Sequence, residues 1–399
     1  MKREPRLLLI VLSFALGCGT GDRPQAHASR DSAGVIIVEN HRGAWGQRDS
    51  WQLSQTPLLD IGVSEGDPRY ELFDAHSSVR LMDGTIVIAN GGTQELRWYD
   101  ATGTFVRNVG RSGGGPGEFT ALDDIALLGG DSIAAYDSEA NRLSLFSSLG
   151  EFARSVALQG PRGFMVGAFA DGSVVITATN AGELTEGLSR WTEAVFRYDG
   201  TGLLLDTLGV FPGTEWFMEI HRSGSRIAAV SSTSRPFARS ASFAVSRDAL
   251  YAGSQDTYEI AVYSVEGDLI ASIRRDFASL PVTAVDIEAY RAGELADVSD
   301  PVERAERLRQ LDNLPYPETM PAYGTIEVDA EGNIWVADYR RPGDQTPQWT
   351  VFNPEHRMLG TVQTPPGFRI HQIGSSFILG RWRDALDVEH VQLYELIKP

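Results

Sequence analysis

The sequence predicts an all-β protein of the six-bladed β-propeller class, and three observations lead to this prediction. A unit of short strands recurs six times, and each unit carries an aromatic residue just before its second turn: Tyr99, Phe146, Tyr198, Tyr263, Phe352 and Tyr394. The strands are rich in Val, Ile and aromatic residues, and Gly, Asp or Asn marks their boundaries. A segment rich in glycine and proline recurs between units. Short strands at regular spacing, four to a unit, are typical of a propeller.

The segment between units, here called the joint, is most complete at Gly110–Phe119, which reads G-R-S-G-G-G-P-G-E-F. It contains G-x-S-x-G, but a nucleophile elbow requires a helix after its turn, and Gly115-Pro116-Gly117 prevents one. A phosphate loop would require G-K-[ST] at its end. The joint is therefore predicted to be structural. Weaker copies occur at Pro68–Phe73, Gly160–Phe164, Phe211–Glu215 and Thr364–Phe368.

The last unit supplies only three strands, predicted at Phe368–Ile373, Ser376–Arg381 and Glu389–Ile397. Leu58–Gly62 precedes a joint copy just as Val106–Gly110 does. We therefore expect this N-terminal strand to complete the last blade and close the ring, because closure removes exposed sheet edges. Another strand is predicted at Gly34–Glu39.

Two intervals are longer than one blade. Trp216–Arg239 is predicted to be an extended connection that holds a small hairpin. Thr283–Leu314 is predicted to be a helical insert between blades four and five, with Asp300 as N-cap and Pro301 in the first turn of its second helix. We expect that helix to pack on the propeller through an apolar stripe of Val302, Ala305, Leu308 and Leu311.

The N-terminus has the layout of a secretory signal. Lys2, Arg3 and Arg6 precede an apolar run, Leu7–Leu16, which is shorter than the ~20 residues that a spanning helix needs. Ala15-Leu16-Gly17-Cys18 resembles the end of a bacterial lipoprotein signal, which implies a lipid on Cys18. The alternative is an ordinary secreted protein in which Cys18 is incidental.

The predicted domains are a signal peptide at 1–17, a flexible tether at 18–32 and the propeller at 33–399. Gly19, rather than Asp, follows the lipidated cysteine, which favours the outer membrane, facing either the periplasm or the exterior. The 399 residues carry a formal net charge of −18. This charge argues against nucleic acid, since binding phosphates requires clustered Lys and Arg.

Four segments carry a resemblance to a known family: Asp31–Val35, Gly110–Phe119, Asp329–Asp338 and the closing V-Q-L-Y-E-L. From about Asp31 to the C-terminus the chain resembles the six-bladed propellers of the NHL-like group, in particular its bacterial lipid-anchored members. This group includes binding modules, lactonases and lyases. The resemblance therefore implies the fold and leaves the function open.

The repeat register predicts a ligand site. Asn90, Asp137, Asp338 and Arg381 end the second strands of four units, on the same face as the joints, and Arg111 lies in a joint. We expect these five residues to line one mouth of the channel. The resemblance to lactonase-type propellers implies, as an alternative, a divalent cation such as calcium on oxygen ligands there. A solvated mouth with strand-capping residues is a further alternative.

No metal or other cofactor is predicted, because Arg381 would repel a cation, and no pair of histidines has a metal-binding spacing. Trp45, Trp51, Trp216 and Trp349 are candidates for stacking on sugars or peptides, or for packing under loops.

We therefore expect a lipid-anchored envelope module that binds a small molecule, glycan, peptide or envelope protein without catalysis. The alternatives are a cation-dependent, lactonase-like hydrolase or a lyase with its site at the channel mouth, and a structural subunit of an envelope complex.

Overall fold

The computed structural model describes residues 26–46, 49–63, 65–224, 226–344 and 346–399. The predicted signal peptide and Cys18 lie outside these residues. The strands of the described chain form six β-sheets, and four sequential strands form the body of each of the first five blades. The all-β, six-bladed propeller predicted from the sequence is confirmed.

The strands follow the predicted repeat. The N-terminal strands are β1 (His27–Ser32), β2 (Val35–Asn40), β3 (Gln52–Leu53) and β4 (Leu59–Ile61). Blade 1 holds β5 (Ala75–Arg80), β6 (Ile86–Asn90), β7 (Glu95–Tyr99) and β8 (Phe105–Val109). Blade 2 holds β9 (Leu122–Leu128), β10 (Ser132–Asp137), β11 (Arg142–Phe146) and β12 (Phe152–Ala157). Blade 3 holds β13 (Phe164–Ala168), β14 (Val174–Asn180), β15 (Gly187–Tyr198), β16 (Leu204–Ser223) and β17 (Arg226–Ser234).

The second half of the chain continues in the same way. Blade 4 holds β18 (Ser242–Val245), β19 (Ala249–Gly253), β20 (Glu259–Ser264) and β21 (Leu269–Arg275). Two helices follow, α1 (Ala284–Glu294) and α2 (Pro301–Asn313). Blade 5 holds β22 (Ile326–Val328), β23 (Ile334–Ala337), β24 (Gln348–Phe352) and β25 (Met358–Gln363). Blade 6 holds β26 (Arg369–Ile373), β27 (Phe377–Arg383) and β28 (Glu389–Ile397).

The first strand of each blade lies innermost, around the channel. The joints lie at one end of the ring, which we call the joint face. The turns between first and second strands lie at the other end, the turn face. The polar turns behave as predicted: Asp100 Oδ1 accepts hydrogen bonds from the backbone N–H groups of Thr102 and Thr104 at 2.9 and 3.0 Å, and Gly103 takes a φ of 82°.

The core lies between the blades. In the part of the chain that the structure describes, the buried apolar residues form six clusters, one at each boundary between neighbouring blades. Between blades 1 and 2, for example, Trp98 packs with Phe119 and Phe146, all at most 2% exposed. Because each blade packs only on its neighbours, the ring is stable only when its last boundary is also filled.

The N-terminal strand closes the ring, as predicted. Strand β4 pairs antiparallel with β28, with Ile61 opposite Val391 and Leu59 opposite Leu393. Ile61 is 1% exposed and belongs to the cluster between blades 6 and 1. The short strand β3 pairs with the end of β28 as well.

Before reaching β4, the chain passes along the outer edges of blades 4 and 5. We call residues 35–46 and 49–61 the strap. Strand β2 pairs in parallel with β21, and the backbone N–H groups of Ala44 and Trp45 donate to Met358 and Leu359 of β25. The Asn40 side chain joins the two blades, because it donates to the carbonyls of Arg274 and His356 and accepts from the N–H of Met358.

One part of the tether prediction is wrong. Composition placed residues 18–32 in a flexible segment, but His27–Ser32 forms β1, which pairs with β2 along its whole length. The turn Ala33-Gly34, with both φ angles positive, makes this pairing possible, and Asp31 Oδ1 accepts a hydrogen bond from the Gly34 N–H at 3.0 Å.

The interval after Tyr198 forms a longer hairpin than expected. Strands β16 and β17 pair from Trp216–Ser234 to Ser223–Arg226 and project beyond blade 3. The Phe211–Glu215 segment is therefore wrong as a joint copy, since it lies inside β16 and pairs with β15. Pro212 and Gly213 are tolerated there because register shifts interrupt the pairing on both sides of that point.

The helical insert forms at the predicted place, with Thr283 and Asp300 as N-caps. It packs on the base of the hairpin: the Phe237 ring lies 5.5 Å from that of Tyr290, and Arg235 Nε donates to the Pro315 carbonyl at 2.7 Å. The predicted apolar stripe of α2 is wrong, however. Only Leu311 of the four is buried, while Val302 is 77% and Leu308 39% exposed and Ala305 is also exposed. No helix of the described residues has the length and apolarity needed to cross a bilayer.

Candidate functional site

The complete joint has a structural role. Phe119 is fully buried between blades 1 and 2, and its N–H and carbonyl bond to the backbone of Arg111 and Gly113. Gly110 has a φ of 93°, and a Cβ there would lie 2.7 Å from the Phe119 ring, so only glycine fits. Strand β9 follows, not a helix, which confirms that the motif is no nucleophile elbow.

Asn90 and Asp137, two of the five predicted site residues, hold the joints in place. Asn90 is fully buried, and its Oδ1 accepts a hydrogen bond from the Phe73 N–H at 2.7 Å. Asp137 is also fully buried and accepts from the N–H groups of Thr120, Ala121 and Ala140 at 2.9 to 3.1 Å. Both side chains thus tie the end of a second strand to the joint that enters the same blade.

Asp338 and Arg381 are held by ion pairs. Asp338 Oδ1 accepts from Arg275 of blade 4 at 3.2 Å and from Thr350 at 3.0 Å. Arg381 donates to Glu389 Oε1 at 2.8 Å, and the same oxygen accepts from Arg383 at 2.6 Å. These contacts connect blades or neighbouring strands. A structural role is therefore enough to explain Asp338 and Arg381 at these positions.

Arg111 lies apart from these four residues. It follows β8, the outermost strand of blade 1, so it sits at the outer end of the joint, where its side chain is 79% exposed and pairs with Glu118. The other four end second strands, one strand away from the channel. The structure therefore does not bring the five together around the channel axis. A ligand-binding role for them stays a prediction.

The alternative divalent cation does not fit this donor set. The Asp137 oxygens already accept backbone and Thr120 hydroxyl hydrogen bonds, and the Asn90 carbonyl oxygen accepts one from Phe73. Among the described residues, no group of three His, Cys, Asp or Glu side chains is arranged to hold a metal ion.

The channel contains titratable side chains that the register argument missed. Asp124 of β9 and Glu327 of β22 belong to blades on opposite sides of the ring, and Arg369 and His371 of β26 lie between them. His371 Nδ1 is 2.9 Å from Ser78 Oγ of blade 1. The buried atoms Nε2 of His371 and Oδ2 of Asp123 have no hydrogen-bond partner in the structure.

Burial shifts the pKa values of Asp124, Glu327 and His371. It raises the pKa of Asp124 to about 6, although Ser77, the Ile125 N–H and Arg369 oppose the shift. It raises the pKa of Glu327 to about 8, with Arg369 opposing and Asp124 adding to the rise. Burial also lowers the pKa of His371 to about 3, and the neighbouring Arg369 and Arg381 add to that effect. At neutral pH, Glu327 is therefore mainly protonated and His371 is neutral.

A cavity of about 780 Å³ opens on the turn face, opposite the predicted mouth. It begins at the channel, where Leu127, Val328 and Gln372 end inner strands, and continues between blades 4 and 5. Apolar side chains line that groove: Tyr251, Val262, Ile270 and Pro354. Polar side chains stand around it: Arg247, Asp248, Glu331, His356 and Gln372.

The four candidate tryptophans divide by environment. Trp349 is 6% exposed in the core between blades 5 and 6. Trp45 and Trp51 belong to the strap, have ring centroids 5.0 Å apart and pack against the same core. Trp216 lines a separate pocket on the joint face, and Trp51 lines another pocket of about 490 Å³. Trp216 and Trp51 are thus placed to meet a ligand in a pocket.

A sequence signal for the channel residues was available. The first strand of each repeat is the innermost one, so a polar side chain inside an apolar first strand faces the axis or a neighbouring blade. L-D-D-I-A-L-L at Leu122–Leu128 and R-I-H-Q-I at Arg369–Ile373 carry this signal. The cavity residues gave none, because they come from turns of three different blades and from their flanking strands.

Comparison with known proteins supports the fold and reaches no further. Residues 71–160, which span blades 1 and 2, match a family model described as a 6-bladed beta-propeller, DUF5128. A search of the curated proteins finds none that matches the chain. Together with the six sheets, these findings define the class of this protein as a six-bladed β-propeller.

Two solved structures of Bacteroides proteins are similar over almost the whole chain. A protein of Bacteroides fragilis, provisionally described as exported, is 14% identical with a TM-score of 0.50, and the match covers 91% of this chain and 100% of that one. A member of the duf4221 family from Bacteroides vulgatus is 11% identical with a TM-score of 0.51, covering 88% and 100%. At such identities the likeness shows the fold alone.

Proposed function

We propose that this protein is a non-catalytic ligand-binding module of the bacterial cell envelope, anchored by a lipid on Cys18. The observation that carries the binding function is the cavity on the turn face. Its volume of about 780 Å³ lies within the range of ~300–1,000 Å³ typical of small-molecule sites.

The walls of the cavity favour a ligand with one apolar side and polar ends. Tyr251 and Ile270 offer apolar surface in the groove, while Arg247 and Glu331 supply charges of opposite sign at the rim. The His356 ring lies 6.5 Å from the Tyr251 ring, and burial lowers the pKa of His356, which favours its neutral form. A peptide or a substituted sugar would match these walls.

A filled-cavity variant tests this proposal. Ile270→Trp places an indole in the groove, whereas Leu269→Trp is the matched control, since Leu269 is equally exposed at 42% against 40% but does not line the cavity. A thermal-shift screen with dipeptides and mono- and disaccharides should find compounds that stabilise the wild type and the control but not Ile270→Trp. A ligand at ~100 times its Kd stabilises by ~2.7 kcal/mol. Compounds that stabilise all three proteins equally would place binding elsewhere.

The proposed location rests on the N-terminal pattern, which the described residues do not include. Cys18→Ser should leave the precursor uncut or release soluble protein. Wild-type protein should fractionate with the outer membrane and incorporate labelled fatty acid. If Cys18→Ser protein still incorporates the label, the anchor proposal is wrong.

A second candidate function is hydrolysis or elimination catalysed in the channel. It is favoured by the cluster of Asp124, Glu327 and His371 in the channel, where burial raises the pKa of Glu327 to about 8 and lowers the pKa of His371 to about 3. Paired groups whose environments separate their pKa values are typical of acid–base sites. The wild type would hydrolyse a lactone or catalyse elimination from an ester, and Glu327→Gln would fold but lose that activity. This result would favour catalysis over binding.

A further inference from the structure

A second pocket lies on the joint face, between blades 3 and 4 and beside the base of the β16–β17 hairpin. We call it the tryptophan pocket; its volume is about 280 Å³. Four aromatic side chains line it: Phe164, Trp191, Trp216 and Phe243. Glu193, Thr177 and Thr179 complete one wall, and Gly213 and Ser240 lie on another.

The fold builds this pocket from one face of blade 3. Trp191 and Glu193 are two residues apart on β15, so their side chains share a face, and Thr179 of β14 lies opposite Glu193. Gly213 keeps the adjoining strand close, because a Cβ there would lie 2.6 Å from the Trp191 carbonyl oxygen. The register shift between Arg190 and Thr192 places Trp191 at an irregularity in the pairing of β15 with β16.

Glu193 brings a negative charge without a cation to balance it. Its Oε2 accepts a hydrogen bond from Thr179 Oγ1 at 3.0 Å, and no ion pair includes it in the described part of the chain. Burial raises the pKa of Glu193, and only the Thr179 hydroxyl opposes that rise. Glu215 and Glu389, by contrast, have arginine partners.

The nearest arginine along β15 is already engaged. Arg190 donates to Asp256 at 2.8 Å and to the carbonyls of Gly213 and Ser254, also at 2.8 Å. It therefore points away from Glu193 and stabilises the hairpin base instead. A carboxylate left partly desolvated in this way gains most from a cation that a ligand supplies.

The aromatic walls select the kind of cation. Aromatic rings attract ammonium groups and shed water more easily than polar walls do, so they favour an organic ammonium over a hydrated metal ion. The Trp191 Nε1–H adds a further preference, because this donor is buried and has no hydrogen-bond partner. A ligand that fills the pocket can satisfy it with a hydroxyl oxygen.

We infer that the tryptophan pocket binds a small organic ammonium ion that carries a hydroxyl group, such as an amino alcohol. The ammonium pairs with Glu193 among the aromatic rings, and the hydroxyl oxygen accepts from Trp191. This site is separate from the cavity on the turn face and goes beyond the proposed function. An amino alcohol occurs free and also, esterified to phosphate through its oxygen, as a lipid head group. Both sources present the ammonium group and an oxygen that can accept from Trp191.

Calorimetric titration with choline and ethanolamine at about pH 8, well above the ordinary pKa of a glutamate side chain, tests the site. The uncharged counterparts are neohexyl alcohol for choline and ethylene glycol for ethanolamine. We expect both cations to bind and the neutral compounds to bind at least about tenfold more weakly. Equal binding of choline and neohexyl alcohol, or no heat from either cation, would overturn the inference.

Two variants assign the binding to this pocket. Glu193→Gln should weaken choline binding at least about tenfold, whereas Glu186→Gln, which removes the same charge from an exposed position, should not. Trp191→Phe keeps an aromatic ring and removes the N–H, so it should weaken ethanolamine binding while the melting temperature stays near that of the wild type. Unchanged affinity in Glu193→Gln would exclude the pocket.

Sedimentation with phosphatidylcholine vesicles separates the two sources. Protein that binds the vesicles through Glu193 takes its ligand from a lipid head group, and protein that binds choline only in solution takes a free amino alcohol. Binding to vesicles that is unaffected by Glu193→Gln would contradict a role of the pocket at the membrane.

Discussion

Glu389 accepts a hydrogen bond from the backbone N–H of Ala75 at 2.7 Å, and this bond joins β28 of the last blade to β5 of the first. The other carboxylate oxygen accepts from Arg381 and Arg383. Because Glu389 is only 4% exposed, its charge depends on these partners. The closure of the ring thus has an ionic part beside the strand pairing of β4.

Replacing this carboxylate should lower stability. Glu389→Gln should reduce the free energy of unfolding by about 1.5–3 kcal/mol at neutral pH, because it weakens hydrogen bonds between charged groups and leaves Arg381 unpaired. Chemical denaturation measures the change. Glu395→Gln on the same strand is exposed and should change the value by less than ~0.5 kcal/mol. Equal stability of Glu389→Gln and the wild type would contradict this role.

The same variant should alter the pH dependence. Burial alone would raise the pKa of Glu389, but the Ala75 N–H, Arg383 and Arg381 outweigh it and hold the pKa below its ordinary value. A carboxyl with a lowered folded-state pKa stabilises the protein above its unfolded-state pKa of ~4.3, and this stability is lost as pH falls through the folded-state pKa. The difference between wild type and Glu389→Gln should therefore shrink in acid.

Closure by the N-terminal strand gives a second prediction. Ile61→Ala should lower the free energy of unfolding by about 2–4 kcal/mol, since it opens a cavity between blades 6 and 1. Leu58 precedes the same strand but is 58% exposed, so Leu58→Ala should have little effect. Similar melting temperatures for the two variants would show that β4 contributes little to the closed ring.

The helical insert gives a third prediction. Leu311→Ala should loosen α2, because Leu311 is 1% exposed, whereas Leu308→Ala at 39% exposure should be nearly neutral. Hydrogen exchange should show faster exchange in α1, α2 and the neighbouring hairpin, with the six sheets unchanged. Faster exchange throughout the blades would mean that the insert belongs to the cooperative core.

The channel gives a fourth prediction, with the opposite sign in pH. Glu327 has a raised pKa in the folded state, so the folded protein binds more protons than the unfolded chain between pH ~4.3 and about 8. The free energy of unfolding should therefore fall as pH rises through this window. Glu327→Gln should flatten the curve and be the more stable protein at its alkaline end, by about 1–3 kcal/mol. Parallel curves for the two proteins would show that Glu327 is ordinarily ionised.

The repeat could be predicted from the sequence because each blade is a local unit. Asp100 and Gly103 specify a turn by themselves, and the same pattern at Asp199 and Gly202 forms the same turn. The closing strand could also be predicted from the sequence, since Ile61 precedes a joint copy. Predictions of turns and strands depend on residues that are close in sequence, because turn-forming residues and the alternation of side chains along a strand act over short distances.

The candidate sites were harder to predict from the sequence, for a physical reason. Asn90 and Asp137 have the right register, but register does not tell whether a side chain points to a ligand or to its own joint. Asp124 and Glu327 owe their raised pKa values mainly to burial in the channel, which several blades create together, and no local pattern encodes that burial. The prediction that the apolar stripe of α2 packs on the propeller was wrong for a similar reason. Leu308 has the helical spacing, but no other part of the described chain covers it.

The strand pairing of Asp60 with Gln392 joins residues 332 positions apart, and it has a consequence for how the protein is made. A chain exported as proposed above delivers β4 across the membrane before β28 and leaves it without a partner until the C-terminus arrives. Blades 1 to 5 can meanwhile assemble in order. An unpaired strand with an apolar residue such as Ile61 is then open to wrong pairing, including with the same strand of a neighbouring chain. Chaperone dependence should therefore be greatest between the arrival of β4 and the arrival of β28.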